Sequence, residues 1–245
     1  MWKRFVAGLA IGIWSVVSAA HAATLTVDGI AGKFVNTKSL NVAYGALKGT
    51  GTNTINWGTP WTAADTKSSY TFAGSPTTQS QTGSFLIGSY THKNGVIAGR
   101  SDSLVSTDLE VSVSGLAGSI AYSILSAFSL THDETLNYTG CPAAQNPCGD
   151  LVTITNKTQG SVTITDGLSV YQLLIDGFVE SLGGPIVTSF LTAENRSKTL
   201  YLQASLRLTT TPPPPPPPPV PLPAGGVVLL TGIATLAVVR RRRKA

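Results

Sequence analysis

Residues 24–209 alternate between apolar and polar side chains with a period of two, and this pattern restricts the possible folds more than any other feature. The alternating segments are rich in Val, Ile, Thr, Tyr and Ser and are separated by Gly, Asn and Asp, as is typical of β-strands. No long apolar stripe at helical spacing occurs in this range, so helix is expected only as a short turn. We therefore predict an all-β domain, an antiparallel β-sandwich of jelly-roll-like or immunoglobulin-like form, long enough to bury a substantial core. The clearest predicted strands are 104–113, 120–130, 151–155, 161–165, 168–175 and 199–208.

Two turn signals lie between alternating segments. Asn94 and Gly95 separate 85–92 from 96–100, and Asp166 with Gly167 separates two of the predicted strands. Both residue pairs tolerate the positive φ angles of tight two-residue turns. We therefore predict a hairpin at each position.

The N-terminal residues 1–22 have the layout of a secretory signal peptide. A basic start is followed by an apolar run at 5–17 and then by small residues. Ala20 and Ala22 form an A-x-A site, which predicts cleavage by signal peptidase before Ala23. An uncleaved membrane anchor is the alternative, but the apolar run is short and the cleavage site follows at once. The chain is thus expected to be exported.

The C-terminal residues place a proline-rich linker (210–219), an apolar segment (225–239) and a basic end (240–244) in order. Fifteen apolar residues would make a helix of about 22 Å, which is short of the roughly 30 Å hydrocarbon core of a bilayer. The positive-inside rule places the basic end, and with it the C-terminus, in the cytoplasm and the body of the protein outside. The segment is therefore expected to hold the protein in the inner membrane, either transiently or permanently.

Five residues join the linker to the apolar segment: Val220, Pro221, Leu222, Pro223 and Ala224. Together with the rest of 220–245 they resemble the VPLPA-CTERM variant of the PEP-CTERM sorting signals. The resemblance implies recognition by an exosortase, a membrane enzyme that cuts near the proline motif. A sortase signal has a similar layout but requires Leu-Pro-x-Thr-Gly, and Gly225 stands where its Thr is needed. An ordinary single-span anchor is the other alternative.

The basic character of the chain is concentrated at its ends. Seven of the seventeen Lys and Arg residues lie in the two terminal segments, and the remaining ten are outnumbered by the twelve Asp and Glu residues. The body also shows no basic patch interleaved with aromatic residues. No nucleic-acid partner is therefore expected.

Cys141 and Cys148 are the two cysteines. In an oxidising compartment they are expected to form a disulfide that closes one short loop. A zinc site would need further ligands at regular spacing, and His92 and His132 are the only histidines left after signal cleavage. No cofactor is predicted from these residues.

Several short motifs in the body are similar to those of the choice-of-anchor K domain. The resemblance spans most of 24–209, and implies a bacterial surface module without transferring a catalytic residue. The motifs are 54–58, 72–74, 83–88 with 93–95, and 131–137 with 150–154.

The densest polar cluster is His132, Asp133, Glu134 and Asn137, with Asp150 beyond the cysteine loop. Carboxylate oxygens in an extracellular loop suit Ca²⁺, so Asp133, Glu134 and Asp150 are candidate calcium ligands. The alternative is that these side chains brace the loop through hydrogen bonds to backbone groups. Neighbouring carboxylates on a strand point to opposite faces, which argues against a glycosidase pair, and no catalytic motif is present.

Trp57 and Trp61 are candidates for stacking on a sugar ring, which would suit an exopolysaccharide ligand. Packing in the core is the alternative for at least one of them. The sequence thus favours a non-enzymatic protein of the periplasm, cell surface or extracellular matrix, with other surface proteins as possible partners. A glycan- or calcium-dependent binding module is the alternative, and a secreted hydrolase is less favoured.

Overall fold

A computed structural model describes residues 24–40, 47–98, 103–135, 149–166 and 169–210, together with Arg240 and Arg242. Within 24–210 the described residues form twelve β-strands and no helix. Arg240 and Arg242, which belong to a separate C-terminal unit, are helical. Across the described residues, no helix combines the length and the apolar composition that a membrane crossing requires. The signal peptide, the disulfide, most of the linker and the predicted apolar helix lie outside the described residues.

The strands are numbered in the order in which they occur along the chain. They are β1 (Leu25–Ser39), β2 (Thr54–Trp57), β3 (Ser68–Gly74), β4 (Thr77–Gln79), β5 (Gly83–Asn94), β6 (Leu104–Ala117), β7 (Ile120–Asp133), β8 (Gly149–Thr158), β9 (Ser161–Asp166), β10 (Ser169–Val179), β11 (Ser189–Ala193) and β12 (Arg196–Thr210).

The strands form two six-stranded antiparallel sheets, which confirms the predicted β-sandwich. The first sheet has the order β11-β8-β7-β6-β1-β4, and the second has the order β2-β3-β5-β12-β10-β9. Consecutive strands β6, β7 and β8 are neighbours in the first sheet, whereas β5 of the second sheet lies between β3 and the distant β12. The position of β5 therefore depends on contacts made late in the chain.

All six predicted strands are present, and each extends beyond at least one predicted end. The predicted hairpin after Asp166 is confirmed, because Ser169 pairs with Asp166 across a two-residue connection. The hairpin predicted at Asn94 and Gly95 is wrong, since β5 ends at Asn94 and no strand includes residues 95–98. Gly95 serves close packing instead, because a Cβ atom there would clash with the carbonyl oxygen of Thr66.

The core lies between the inner faces of the two sheets and is rich in aromatic rings. Along β7 the buried residues alternate with exposed or half-buried ones, as expected for a strand with one face against a core. Phe128 of the first sheet packs on Phe178 of the second, with ring centroids 4.9 Å apart. Phe34 and Tyr70 make a similar contact between the sheets at 6.0 Å. Such rings supply much of the buried apolar area that holds the sheets together.

Candidate functional site

Three ionisable side chains meet between the two sheets. His92 belongs to β5 of the second sheet, whereas His132 and Asp150 belong to β7 and β8 of the first sheet. Each lies two residues from a buried core residue of its own strand, so the period of two turns its side chain inward. The side chains of all three are completely buried. We call these three residues the His-Asp cluster.

The three side chains approach one another without forming hydrogen bonds. The Oδ2 atom of Asp150 lies 3.8 Å from Nε2 of His92 and 3.6 Å from Nε2 of His132. Both distances are too long for a hydrogen bond. His92 Nε2 and Asp150 Oδ2 are buried and have no hydrogen-bond partner at all within the described residues. Such atoms are rare in folded proteins and call for an explanation.

The other ring nitrogen of each histidine is held by a hydroxyl group from the opposite sheet. His92 Nδ1 lies 2.9 Å from Oγ1 of Thr192, on β11 of the first sheet. His132 Nδ1 lies 2.7 Å from the hydroxyl of Tyr70, on β3 of the second sheet. These contacts fix the orientation of both rings. As a result, both Nε2 atoms face Asp150.

Asp150 is held in the same way through one of its two oxygens. Its Oδ1 atom accepts a hydrogen bond of 3.0 Å from the backbone N–H of Thr135 and a longer one of 3.4 Å from the Thr135 hydroxyl. This anchoring agrees with the predicted alternative of side chains that brace the loop through backbone groups. It leaves Oδ2 directed at the histidines.

Two glutamates adjoin the cluster. Glu134 Oε2 lies 3.2 Å from His132 Nε2 and accepts a hydrogen bond of 3.4 Å from the indole N–H of Trp57. Glu194 is half-buried and accepts a hydrogen bond from Asn94 at 3.3 Å. The carboxyl groups of Glu134, Asp150 and Glu194 each place one oxygen within 4.8 Å of the other two. The three residues of the His-Asp cluster likewise each place one ligand atom within 4.8 Å of the other two. Asp150 belongs to both sets.

Burial governs the protonation of the site. Burial lowers the pKa of His92, and the nearby His132 lowers it further. Burial also lowers the pKa of His132, although the negative charge of Asp150 acts in the opposite direction. Burial, followed by the charge of Glu134, raises the pKa of Asp150 to about 8, and the same two causes raise the pKa of Glu194 to about 7. Both imidazoles are therefore neutral at pH 7, the form in which histidine binds a metal ion.

Aromatic rings enclose the cluster on the side of the second sheet. The indole of Trp57 stacks on His92 with ring centroids 5.9 Å apart and meets His132 edge to face at 5.0 Å. Tyr70 contacts both histidines, with centroids 5.0 Å from His92 and 5.7 Å from His132. These rings keep water away from the imidazoles, so electrostatic interactions in the cluster are only weakly screened.

No protein-family model matches this chain, and no curated protein matches it in sequence. The chemistry of the site therefore follows from its geometry. Two neutral imidazole nitrogens and a carboxyl oxygen that converge in a buried position are a set of donors suited to a metal ion, which would bind Asp150 in its deprotonated form. The same groups have no exposed surface through which a substrate could reach them.

The structure brings together two of the three candidate calcium ligands. Asp150 belongs to the His-Asp cluster and Glu134 is buried beside it, whereas Asp133 is exposed on the opposite face of the chain. The prediction that adjacent carboxylates diverge is therefore confirmed, and Asp133 and Glu134 do not form a pair for glycoside hydrolysis. Asn137 lies outside the described residues.

The two tryptophans have different positions. Trp57 is fully buried, so its assignment as a sugar-stacking residue is wrong and the alternative of core packing holds. Trp61 is 66% exposed and remains a candidate. The sorting motif, the signal cleavage site and both cysteines lie outside the described residues.

Sequence reasoning did not assign His92, Tyr70 or Thr192 to the site. One signal was present: predicted segment 85–92 ends on His92, in phase with Tyr90, which places the histidine on the inner face of the strand. The partner of this histidine was not predictable in the same way, because it depends on which strands face each other across the core.

Proposed function

We propose that this chain is an exported bacterial surface or extracellular-matrix protein that an exosortase processes at its C-terminal sorting signal. Residues 1–22 act as the signal peptide, and the body is displayed outside the cytoplasm as a non-catalytic module of the choice-of-anchor K type. The observation that carries the proposal is the order of the tail, in which Val220 to Ala224 precede an apolar segment and a basic end.

The tail contains a spacer, a recognition motif, an apolar segment and a basic end, in the order that processing by a membrane enzyme requires. The apolar segment at 225–239 is shorter than a typical permanent anchor, and the basic residues after it oppose passage of the C-terminus through the membrane. The prolines before the motif form a stiff spacer of about 25 Å if they adopt polyproline II conformation. In the sequence, the motif thus lies between the folded body and the apolar segment, an order that suits recognition by a membrane enzyme.

The character of the body supports a non-catalytic role. In the described part of the chain, the three ionisable side chains of the His-Asp cluster converge in a fully buried position. A hydrolase needs its acid and base in contact with substrate. The location of these groups between the sheets suits a role in the stability of the module instead.

Intact-mass measurement of the protein from its native host tests the proposal. In a strain with the exosortase, the mature protein is expected to begin at Ala23 and to lack everything after about Pro223. In a strain without the enzyme, the tail is expected to remain. An unprocessed tail in both strains would overturn the proposal, as would an N-terminus that still includes the signal peptide.

A pair of double variants separates motif recognition from proline content. Pro221→Ala with Pro223→Ala is expected to leave the tail in place, because the motif is destroyed. Pro214→Ala with Pro216→Ala removes two prolines from the spacer and is expected to be processed normally. Equal processing of the two variants would show that the motif is not read.

One specific observation favours glycan binding as a second candidate function. Trp61 exposes most of its indole, and its backbone N–H donates a hydrogen bond of 3.0 Å to the Val96 carbonyl. The next turn is fixed by Asp65, whose carboxylate accepts hydrogen bonds from both the N–H and the hydroxyl of Thr62 at 2.8 Å. A well-positioned, exposed aromatic ring suits stacking on the apolar face of a sugar.

A polysaccharide-binding assay distinguishes this candidate. Trp61→Ala is expected to abolish binding to polysaccharide from the host, whereas Leu116→Ala, which also removes an exposed apolar side chain, is expected to retain it. Equal binding by both variants and the wild-type protein would exclude Trp61 as the contact.

A further inference from the structure

The distances in the His-Asp cluster distinguish a metal ion from a water molecule as the missing partner. Ligand atoms around a tetrahedral zinc ion are about 3.3–3.6 Å apart, as follows from zinc-ligand bonds of 2.0–2.2 Å. Groups that share one tetrahedral water are about 4.5 Å apart, because each hydrogen bond is about 2.8 Å long. The separations of 3.6 and 3.8 Å between Asp150 Oδ2 and the two Nε2 atoms are closer to the zinc geometry.

We propose that His92, His132 and Asp150 bind a divalent transition-metal ion of the zinc type, which joins the two sheets of the sandwich. The ligand atoms are Nε2 of each histidine and Oδ2 of Asp150. Two of these three ligand atoms, His92 Nε2 and Asp150 Oδ2, are buried without a hydrogen-bond partner among the described residues, and the third, His132 Nε2, is at hydrogen-bond distance from Glu134. Glu134, with Oε2 at 3.2 Å from His132 Nε2, adjoins the site as a fourth donor.

The surroundings of the ligands match those of known metal ligands. A histidine that binds a metal through one nitrogen usually makes a hydrogen bond through the other, which fixes the ring and its tautomer. Thr192 and Tyr70 occupy these positions for His92 and His132, and Thr135 holds the second oxygen of Asp150. Each ligand is thus oriented before a metal arrives.

The donor set selects the class of metal. Imidazole nitrogens suit zinc and its first-row neighbours, whereas Ca²⁺ prefers six to eight oxygen ligands. Two of the three ligands here are nitrogens. The site is therefore expected to prefer Zn²⁺ to Ca²⁺, and its role is structural because no ligand is exposed.

Metal binding to the full-length chain, purified in detergent without a histidine tag, tests the proposal. After removal of metals with EDTA, titration with Zn²⁺ is expected to load one ion per chain and to raise Tm by about 5–15 °C at 100 to 1,000 times Kd. Ca²⁺ at the same concentration is expected to produce no shift. X-ray absorption at the zinc edge is expected to show two imidazoles at about 2.0–2.1 Å.

Variants identify the ligands. Asp150→Asn and His92→Gln are each expected to lower zinc affinity by at least 10- to 100-fold, the range seen when even outer partners of ligands are lost. Asp133→Asn makes the same chemical change as Asp150→Asn at the exposed neighbour of His132 and is expected to leave the affinity unchanged. Circular dichroism and thermal unfolding in EDTA show whether each variant folds.

Several results would overturn the proposal. These are a wild-type chain that binds no Zn²⁺, a preference for Ca²⁺, or equal zinc affinity of Asp150→Asn and Asp133→Asn. The absorption spectrum tests the proposal on the wild-type chain even if a variant fails to fold. Sulfur scattering at about 2.3 Å in place of two imidazoles would assign the zinc to Cys141 and Cys148 and also refute the site.

Discussion

Tyr70→Phe measures how far the hydrogen bonds of the site hold the two sheets together without a metal. The substitution removes the hydroxyl that lies 2.7 Å from His132 Nδ1 but keeps the ring that packs on Trp57 at 4.7 Å. Because His132 is buried, its ring nitrogen is left without a partner, which costs about 1–3 kcal/mol. For a domain of this size, that loss corresponds to a decrease in Tm of about 2–12 °C.

The assay is thermal and urea unfolding of the wild-type protein and the variant in EDTA, so that no metal contributes. Tyr171→Phe is the matched control, because Tyr171 is half-buried and its hydroxyl makes no hydrogen bond with any described residue. This control is expected to change the free energy of unfolding by less than about 0.5 kcal/mol. Equal effects of the two substitutions would refute the view that the Tyr70 hydroxyl connects the sheets.

Two further predictions concern the rest of the sandwich. Phe128→Ala is expected to lower the free energy of unfolding by about 3–5 kcal/mol because it opens a cavity in the core. Leu125→Ala, at a 55% exposed position, should change it by no more than about 0.5 kcal/mol. Similar urea midpoints for the two variants would contradict this prediction. Burial opposes ionisation of Asp108, but hydrogen bonds from Lys157 and Asn36 outweigh it and lower its pKa. Lys157→Met should therefore reduce the free energy of unfolding at pH 7 by less than about 1 kcal/mol, since Lys157 is partly exposed. This difference should disappear as the pH falls below about 4 and through the lowered pKa of Asp108, because the carboxylate is then protonated. An equal difference in urea unfolding at pH 7 and pH 3 would contradict the assignment.

The sequence predicted the strands well because the sandwich exposes one face of each sheet to solvent. In β7, for example, the alternation is regular from Tyr122 to Asp133, and a pattern of this kind is readable without knowledge of the neighbouring strands. The sequence pattern does not mark β1 as clearly, although this strand is fifteen residues long. Its C-terminal half alternates less cleanly, and its pairing with β6 contains register shifts near Val35 and Lys38, so no local pattern marks it as clearly.

The site was only half predictable, because its residues come from strands that are distant in the chain. His132 and Asp150 lie on adjacent strands of the first sheet, and both belong to the polar cluster that the sequence pattern indicates. His92 reaches them from the second sheet, forty residues before His132. Two histidines at no regular spacing do not form a recognisable zinc motif, so the sequence alone does not predict a zinc site. Facing strands of a sandwich can assemble ligands without such a motif, and only the pairing of the two sheets reveals this.

The energetics of the His-Asp cluster explain why its residues differ from their neighbours. On the same strands, the adjacent inward positions include Leu130 and Val152, which pack in the core at no electrostatic cost. A buried polar atom without a partner costs about 1–3 kcal/mol, so apolar residues at the cluster positions would make a more stable metal-free domain. A bound cation removes this cost, because it becomes the partner of both unsatisfied atoms and joins β5 to β7 and β8. The cluster therefore destabilises the metal-free domain and stabilises the metal-bound one. The hydrogen bonds from Thr192, Tyr70 and Thr135 alone would not produce this difference.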